Sequence, residues 1–428
     1  VSKGIAGMII VRDSIENSLN LPRSYGVDDF PLVVQTKAFD VLNQIAISTE
    51  LDTVLCVNSI VNAHLDAPAQ IVRLRLLNGS SMRSYNFGFS NNLSFKLIAT
   101  DAGLIDSAIT LTRIRLSPGE RAEILIDLQG LPGQNISLMS YSSEFQNGIY
   151  GAATVTNGMG GSIVDYNLNP LNGADFEVLA ISVISPTANA VTTMPTLLAP
   201  NNPFPPYTVT RNFTLAPEMM GPVNMLIGPF TINGAMFDMD SINVVTYLNS
   251  SEKWRITNNT GIAHPFHIHD MHFYIDNING SAVPAYEQGK KDVVLVLPMQ
   301  YVEIVTRFEN FTNDTVPYMY HCHLLHHEDD GMMGSFLVLD TASAGIHSES
   351  ILAWKLAPNP NNGLFNIKAQ SNFQKGFIKI YNLMGETLLQ TNIYNEALID
   401  ISRFSSGIFI VQIIDENQEI QNFKVIKN

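Results

Sequence analysis

The run His321-Cys322-His323 is the chain's most conspicuous set of side chains able to bind a metal. His327 follows five residues after the cysteine, and Met332 follows ten residues after it. A thiolate, two imidazoles and a weakly bound thioether form the ligand set of a blue-copper electron-transfer site. The spacing therefore predicts a copper ion bound by Cys322, with His327 and Met332 beside it.

A second group of histidines lies in residues 264–269, which read His-Pro-Phe-His-Ile-His. Its first histidine, His264, would give the cysteine site its other imidazole. Side chains alternate between the two faces of a strand, so the histidines flanking the cysteine point away from it and could meet the rest of the second group across a cleft. Four imidazoles suit several copper ions, unlike the sites usual for one zinc ion. These four are His267, His269, His321 and His323.

The two segments resemble the copper-binding motifs of multicopper oxidases, the family of laccases, cuprous oxidases and bilirubin oxidases. The family's motif His-Pro-x-His-x-His is matched by residues 264–269, and its motif His-Cys-His-x3-His-x4-Met by residues 321–332. The resemblance implies copper as the cofactor, in a type 1 site and in a trinuclear cluster of type 2 and type 3 ions. The implied ligands are His264, Cys322, His327 and Met332 for type 1, His267 for type 2, and His269, His321 and His323 for type 3.

The resemblance also implies the reaction. A small reducing substrate, phenolic or Cu(I), would give single electrons to the type 1 copper, and four of them would reduce O2 to water. The covalent path from Cys322 to its neighbouring histidines would connect the two sites. Glu328 is the nearest carboxylate by sequence, and we predict that it is catalytic, relaying protons or orienting a ligand imidazole. The alternative for Glu328 is a solvated acidic turn. Residues 261–263, Gly-Ile-Ala, have no copper-binding side chain, which favours phenolic donors over Cu(I).

One part of the family's pattern is absent. The trinuclear cluster of the family takes eight histidines from four His-x-His motifs, and this chain has two such motifs. The sequence opens with Val1, and residues 4–11 resemble the last strand of the family's first domain. We therefore expect an N-terminally truncated oxidase whose fragment alone is inactive.

Two other functions remain open on the sequence alone. One is a copper electron carrier that uses the type 1 site without oxidase activity. The other is an enzyme like copper nitrite reductase, which is disfavoured because His-Cys-His and His-x-His supply type 3 ligands that it would not need. Two more His-x-His motifs encoded within the preceding ~150 residues, about one domain, would decide for the oxidase over the carrier.

An internal repeat predicts the elements that must position these ligands. Residues 73–79 return as residues 253–259, and Pro118 returns as Pro298, both at the same offset along the chain. Self-similarity at a fixed offset indicates a duplicated unit, here as large as a domain. At this offset, serine, phenylalanine and tyrosine stand where the second copy has its histidines and cysteine. The first copy is therefore expected to be free of copper.

Short alternating apolar runs, separated by Gly, Pro and Asn, predict β-sandwiches. With the family resemblance, we predict an all-β chain of tandem cupredoxin-like Greek-key β-sandwiches and a small C-terminal β-sandwich. The predicted parts are 1–25, a remnant of a first cupredoxin domain; 26–184, a copper-free cupredoxin domain; 185–207, a linker; 208–345, a copper-binding cupredoxin domain; and 355–428, a C-terminal secretion domain.

Residues 355–428 resemble the C-terminal sorting domain of type IX secretion substrates. The resemblance rests on Pro-Asn-Pro at 358–360, Ile-Tyr-Asn-Leu-Met-Gly at 380–385 and Ser-Gly-Ile-Phe at 406–409. It implies the secretion machinery as a partner and a secreted or cell-surface location. The alternative is an accessory β-module for binding, because such strand patterns constrain function loosely.

The composition of the chain limits its possible partners, its membrane association and its disulfide bonds. A chain of 428 residues with 46% hydrophobic residues can bury more than one core. The net charge of −15 disfavours a nucleic-acid partner. No apolar stretch is long enough to predict a membrane span. The two cysteines cannot form a disulfide framework, and pairing Cys56 with Cys322 would consume the copper thiolate, so both are expected to be unpaired.

Overall fold

The computed structural model describes residues 3–47, 50–200, 203–340, 354–369, 375–383, 385–415 and 420–428. It divides into two compact units, Val1–Thr341 and Ala342–Asn428. Strands dominate both, which confirms the predicted all-β class. The helices of the described residues are short: α1 (Ser14–Ser18), α2 (Asn224–Ile227), α3 (Leu325–Asp329), and four 3-10 turns at Ser90–Asn92, Ser142–Glu144, Tyr166–Leu168 and Ala285–Glu287.

Twelve strands of the larger unit form its first pair of sheets. They are β1 (Asp29–Lys37), β2 (Val54–Val57), β3 (Ile60–Val61), β4 (His64–Pro68), β5 (Ile71–Asn78), β6 (Tyr85–Phe89), β7 (Phe95–Thr100), β8 (Gly103–Leu111), β9 (Ile114–Leu116), β10 (Arg121–Asp127), β11 (Asn135–Tyr141) and β12 (Asp175–Ile184). The strand orders are β3-β2-β1-β5-β10-β7-β8 and β4-β12-β11-β6-β9. Leu74, Phe87 and Ile124 are among the apolar side chains that the two sheets bury between them.

Ten further strands form the second pair. They are β13 (Val209–Pro217), β14 (Phe230–Ile232), β15 (Val244–Tyr247), β16 (Ser251–Asn258), β17 (His264–Ile268), β18 (Phe273–Ile278), β19 (Val293–Val296), β20 (Tyr301–Arg307), β21 (Asn313–Cys322) and β22 (Met333–Leu339). The orders are β14-β13-β16-β20-β18 and β15-β22-β21-β17-β19. Strands β5 and β16 begin and end at positions that differ by the offset of the sequence repeat, and the same is true of β10 and β20. The structure therefore reproduces the repeat.

The predicted domain boundaries remain a prediction. Between β12 and β13, the described residues 185–200 and 203–208 contain no helix or strand. Residues 341–345, the predicted end of the copper-binding domain, lie outside the described residues. Residues 5–13 form no strand, although residues 4–11 resemble one, because their backbone has no ladder partner among the described residues. Ile9 in this segment is 91% exposed.

The described residues of the smaller unit form seven strands. They are β23 (Trp354–Ala357), β24 (Leu364–Ala369), β25 (Lys375–Tyr381), β26 (Thr387–Tyr394), β27 (Glu396–Asp400), β28 (Gly407–Asp415) and β29 (Ile420–Lys427), in the order β23-β24-β27-β26-β25-β28-β29. Strands β26 and β27 meet at a single residue pair. Phe365 on one side of this junction and Ile378 and Val411 on the other share one buried core, as in a small β-sandwich.

A buried ionic cluster joins the two pairs of sheets within the larger unit. The Lys291 Nζ lies 2.8 Å from Glu120 Oε1, 3.3 Å from Asp101 Oδ2 and 3.4 Å from Glu287 Oε2. All four side chains are at most 3% exposed. Burial alone would lower the pKa of Lys291, but the three carboxylates outweigh it and raise this pKa well above its usual value. Lys291 is therefore charged and connects Asp101 and Glu120 of the first pair of sheets to the residues before β19.

Candidate functional site

Three elements carry the predicted ligands of the first site. Strand β17 begins at His264, strand β21 ends at Cys322, and helix α3 carries His327. The antiparallel pairing of β17 and β21 sets Phe266 opposite Cys322. Because α3 starts three residues after the cysteine, its single turn returns His327 to the end of the same sheet.

The structure brings these side chains within contact distance. The Cys322 Sγ lies 3.5 Å from His264 Nδ1 and 3.5 Å from His327 Nδ1, and the two Nδ1 atoms are 3.2 Å apart. The Met332 carbonyl accepts a hydrogen bond from the Cys322 amide at 3.1 Å, and the Met332 amide donates to the His327 carbonyl at 2.8 Å. All four residues are buried. We call these four residues the cysteine site.

The electrostatics of the cysteine site suit a soft metal ion. Burial lowers the pKa of His264 well below its usual value and that of His327 to about 3, so both imidazoles are neutral at pH 7. Burial also raises the pKa of the Cys322 thiol, so a thiolate here needs a cation to stabilise it. Phe230 packs edge-on against both imidazoles, at centroid distances of 4.8 and 4.6 Å, and helps exclude water. A buried donor set of one sulfur and two neutral imidazoles fits copper.

The four remaining predicted histidine ligands lie on the opposite side of β17 and β21. We call them the histidine cluster: His267, His269, His321 and His323. The His269 and His321 Nε2 atoms lie 3.1 Å apart. The His267 ring centroid is 5.3 Å from that of His321 and 5.5 Å from that of His323. His267, His269 and His321 each offer a ring nitrogen within 4.8 Å of the others. The structure therefore brings together every histidine that the sequence assigned to this group.

Backbone carbonyls set the tautomers of two members of the histidine cluster. The His267 Nδ1 donates to the Asp292 carbonyl at 2.8 Å, and the His321 Nδ1 donates to the Cys322 carbonyl at 2.9 Å. A carbonyl can only accept, so each Nε2 keeps its lone pair for a metal. Burial lowers the pKa of His267 to about 2 and that of His321 to about 4, so both are neutral at pH 7.

The histidine cluster is supported by three residues that the sequence did not point to: Gly119, Asp292 and Arg121. Gly119 has a φ of +86°, and a Cβ added there would lie 2.6 Å from the His323 ring. Asp292, whose carbonyl accepts from His267, holds Arg121 through a bidentate ion pair of 2.5 and 2.8 Å. Gly119 and Arg121 belong to the first pair of sheets, far from the histidines in sequence, and only the Pro-Gly turn at residues 118–119 hinted at one of them.

Glu328 lies beside the histidine cluster. Its Oε2 is 3.4 Å from His321 Nδ1, and its side chain is 31% exposed. Burial raises the pKa of Glu328 above its usual value. The carboxylate is thus near a predicted ligand and open to water, which suits either predicted role.

Comparison with protein families agrees with this geometry. Multicopper oxidase profiles match residues 65–160 and 201–342, one in each pair of sheets. The profile of a secretion system C-terminal sorting domain matches residues 355–428. The protein is therefore secreted or placed at the cell surface. Among the described residues, the helices are too short or too polar to span a bilayer.

Individual relatives include a multicopper oxidase and a cell division protein. The chain is 33% identical over 351 residues to a multicopper oxidase of Staphylococcus haemolyticus, covering 79% of this chain and 64% of that protein. It is 31% identical to the cell division protein FtsP of Dickeya dadantii, covering 79% of this chain and 66% of that one. The chain thus spans about two thirds of the length of these relatives.

A solved structure supports the relationship. The laccase-like multi-copper oxidase CueO of Ochrobactrum sp. superposes with a TM-score of 0.63 at 30% identity, over 77% of this chain and 70% of that one. The protein that carries the cysteine site and the histidine cluster belongs to the multicopper oxidase family.

Proposed function

We propose that this chain supplies the electron-entry site and half of the trinuclear ligands of a laccase-type multicopper oxidase. In this enzyme, single electrons from a small reducing substrate would pass from the cysteine site through the histidine cluster to O2. Family membership implies copper as the cofactor. His264, Cys322, His327 and Met332 would hold type 1 copper. His267 would hold type 2 copper, and His269, His321 and His323 would hold type 3 copper.

The observation that carries the proposal is the presence of both groups on opposite faces of one strand pair. An electron carrier needs the cysteine site alone. In this chain His321 and His323 are bonded to Cys322 through the backbone and lie within ring contact of His267. Such an arrangement joins an electron entry point to a multi-imidazole site by a short covalent path.

Bound copper supplies one-electron redox chemistry, which would couple oxidation of the substrate to the four-electron reduction of O2 to water. The chain's residues do the rest. Phe230 shields the cysteine site, while the carbonyls of Asp292 and Cys322 orient two imidazoles of the histidine cluster. Glu328 would hold or deliver a proton beside His321.

The donor class is also part of the proposal. Ile262 and Ala263, which precede His264, are buried and apolar, so this side of the cysteine site offers Cu(I) no ligand. As alternative ligands for Cu(I), the chain upstream of His264 offers only a sparse set of methionines: Met219, Met220, Met225, Met236 and Met239. Of these, Met236 is 41% exposed and lies close to Gly331. We therefore expect phenolic donors to be oxidised faster than Cu(I).

The proposed function is tested by O2 uptake on the copper-loaded gene product in its full length, with a phenol and with Cu(I) as donors and copper counted per chain. We expect an intense blue absorption that the phenol bleaches without air, and consumption of one O2 for every four electrons. A blue protein that is bleached but takes up no O2 would show an electron carrier instead. A protein without blue absorption would overturn both functions.

Glu328→Gln tests the proton role in the same assay. The amide keeps the size of the side chain but cannot release a proton, so we expect O2 reduction to slow by about 10²-fold or more. Bleaching of the blue band by the phenol should be unchanged, because that step precedes O2 reduction. The matched control is Asp329→Asn, at the next, exposed position. Unchanged O2 uptake in the glutamine variant would leave Glu328 as a solvated acidic turn.

The C-terminal unit adds a partner to the proposal. Because residues 355–428 match a sorting domain, we expect the secretion machinery to bind this unit. This recognition would be independent of copper, since none of the predicted ligands lies in the smaller unit.

A further inference from the structure

A buried polar network lies behind the cysteine site. Asn258, Thr260 and His264 are each 0% exposed. The Thr260 Oγ1 is 2.8 Å from His264 Nε2, 2.7 Å from Asn258 Oδ1 and 2.9 Å from the Ile262 carbonyl. The hydroxyl thus contacts the ring nitrogen of His264 that faces away from Cys322.

Proton counting sets the direction of these hydrogen bonds. The Asn258 Nδ2 donates to the Ile262 and Val296 carbonyls at 2.8 and 3.0 Å, so the Asn258 Oδ1 must face Thr260 as an acceptor. The Asn258 Oδ1 and the Ile262 carbonyl oxygen, at 2.7 and 2.9 Å, can only accept, so the one proton of the threonine hydroxyl is directed to these two oxygens. The Thr260 hydroxyl therefore has no proton left for His264 and can only accept from it.

The tautomer of His264 follows from this network. The His264 Nε2 carries the proton and donates it to Thr260, so Nδ1 keeps a lone pair. This Nδ1 is the atom that lies 3.5 Å from Cys322 Sγ and 3.2 Å from His327 Nδ1. The opposite tautomer would place a proton where the metal must bind.

The copper-free copy shows which part of the network is structural. Asn78, the counterpart of Asn258 in the repeat, is also fully buried and donates to two carbonyls, those of Arg83 and Leu116. Ser80 stands where Thr260 does, but its hydroxyl lies 2.7 Å from the Tyr85 hydroxyl and meets no imidazole. The asparagine therefore holds the turn in both copies, whereas the hydroxyl contacts an imidazole only in the second.

We propose that Thr260 is a positioning residue of the cysteine site: its hydroxyl fixes His264 in the Nε2–H tautomer and strengthens it as a ligand for Cu(II). The inference rests on the proposed function only in that the cysteine site binds copper. A hydrogen bond accepted from the remote nitrogen makes the imidazole a better donor and favours Cu(II) over Cu(I). Losing it should weaken Cu(II) binding and raise the reduction potential.

Thr260→Val tests this, because valine keeps the shape of threonine and removes the hydroxyl. We expect Cu(II) affinity to fall about 10–100-fold, the usual effect of losing an outer hydrogen-bond partner. Each tenfold loss not shared by Cu(I) raises the potential by about 59 mV for a one-electron couple. Redox titration of the blue band measures the reduction potential, and Thr260→Ser should restore the wild-type value.

Ser80→Ala is the matched control in the copper-free copy. It removes a buried hydroxyl from the equivalent turn and should leave the blue band and its potential unchanged. A Thr260→Val protein with wild-type affinity and potential would overturn the role of Thr260 while leaving the proposed function intact. A wild-type protein without a blue band would instead overturn the proposed function.

A measurement on the wild-type protein covers the case in which Thr260→Val does not fold. In the copper-free protein labelled with ¹⁵N-histidine, nuclear magnetic resonance distinguishes the two tautomers of each imidazole. We expect His264 in the Nε2–H form. Observation of the Nδ1–H form would overturn the proposal without any variant.

Discussion

Replacing Cys322 by serine should reduce the blue absorption of the copper-loaded protein to the level of the copper-free protein. The absorption requires a thiolate bound to Cu(II), and a serine hydroxyl is a harder ligand that stays protonated in this buried site. The affinity of the cysteine site for copper should fall by more than the roughly 10–100-fold that follows removal of an outer hydrogen-bond partner. Visible absorption and a copper count per chain measure the two effects.

The chain's other cysteine provides the control for this experiment. Cys56 is also buried and unpaired, as predicted, but its sulfur contacts the Val54 carbonyl oxygen at 4.0 Å and lies outside both groups of predicted ligands. Cys56→Ser should therefore keep the full blue absorption. A blue Cys322→Ser protein, or loss of colour only in Cys56→Ser, would contradict the assignment of the ligand.

Lys291→Met should lower the free energy of unfolding of the larger unit by about 3–5 kcal/mol, because it leaves the buried Glu120 carboxylate without the cation that contacts it. Lys291 is the ammonium shared by Asp101, Glu120 and Glu287. Urea unfolding followed by intrinsic fluorescence measures the loss. Adding Glu120→Gln should recover part of it, since the double variant buries one negative charge fewer.

An exposed ion pair gives the comparison for Lys291. Arg307 contacts Glu309 at 3.0 Å, and the glutamate side chain is 52% exposed. Arg307→Met should change the free energy of unfolding by at most about 1 kcal/mol, because water screens such pairs. Equal effects of Lys291→Met and Arg307→Met would show that the buried cluster is not what joins the two pairs of sheets.

Much of the fold could be predicted from local patterns. Alternation of apolar residues predicted strands, and the repeat at a fixed offset predicted two related units, because both depend only on neighbours in the chain and on a duplicated pattern. Residues 4–11 show the limit of a family resemblance. They resemble a strand of the family's first domain, but a strand needs a partner for its hydrogen bonds, and the described structure gives this segment none.

The outer contacts of the site could not be predicted in the same way. Thr260 looks like an ordinary turn residue, and its role depends on an amide two residues before it and an imidazole four residues after it, in one specific conformation. Gly119 and Lys291 act across the junction of the two pairs of sheets. No periodicity or spacing reports such contacts, because they depend on how separate elements pack.

The sequence by itself determined which atoms could bind copper: a thiol between two histidines, further histidines and a methionine at set intervals, all within two short segments. Only the tertiary structure decided that these segments lie side by side, with Cys322 Sγ 3.5 Å from the ring nitrogens of His264 and His327. The reason is that ligand chemistry belongs to individual side chains. The distances between them depend on the pairing of β17 with β21, which the whole of the surrounding sandwich holds in register.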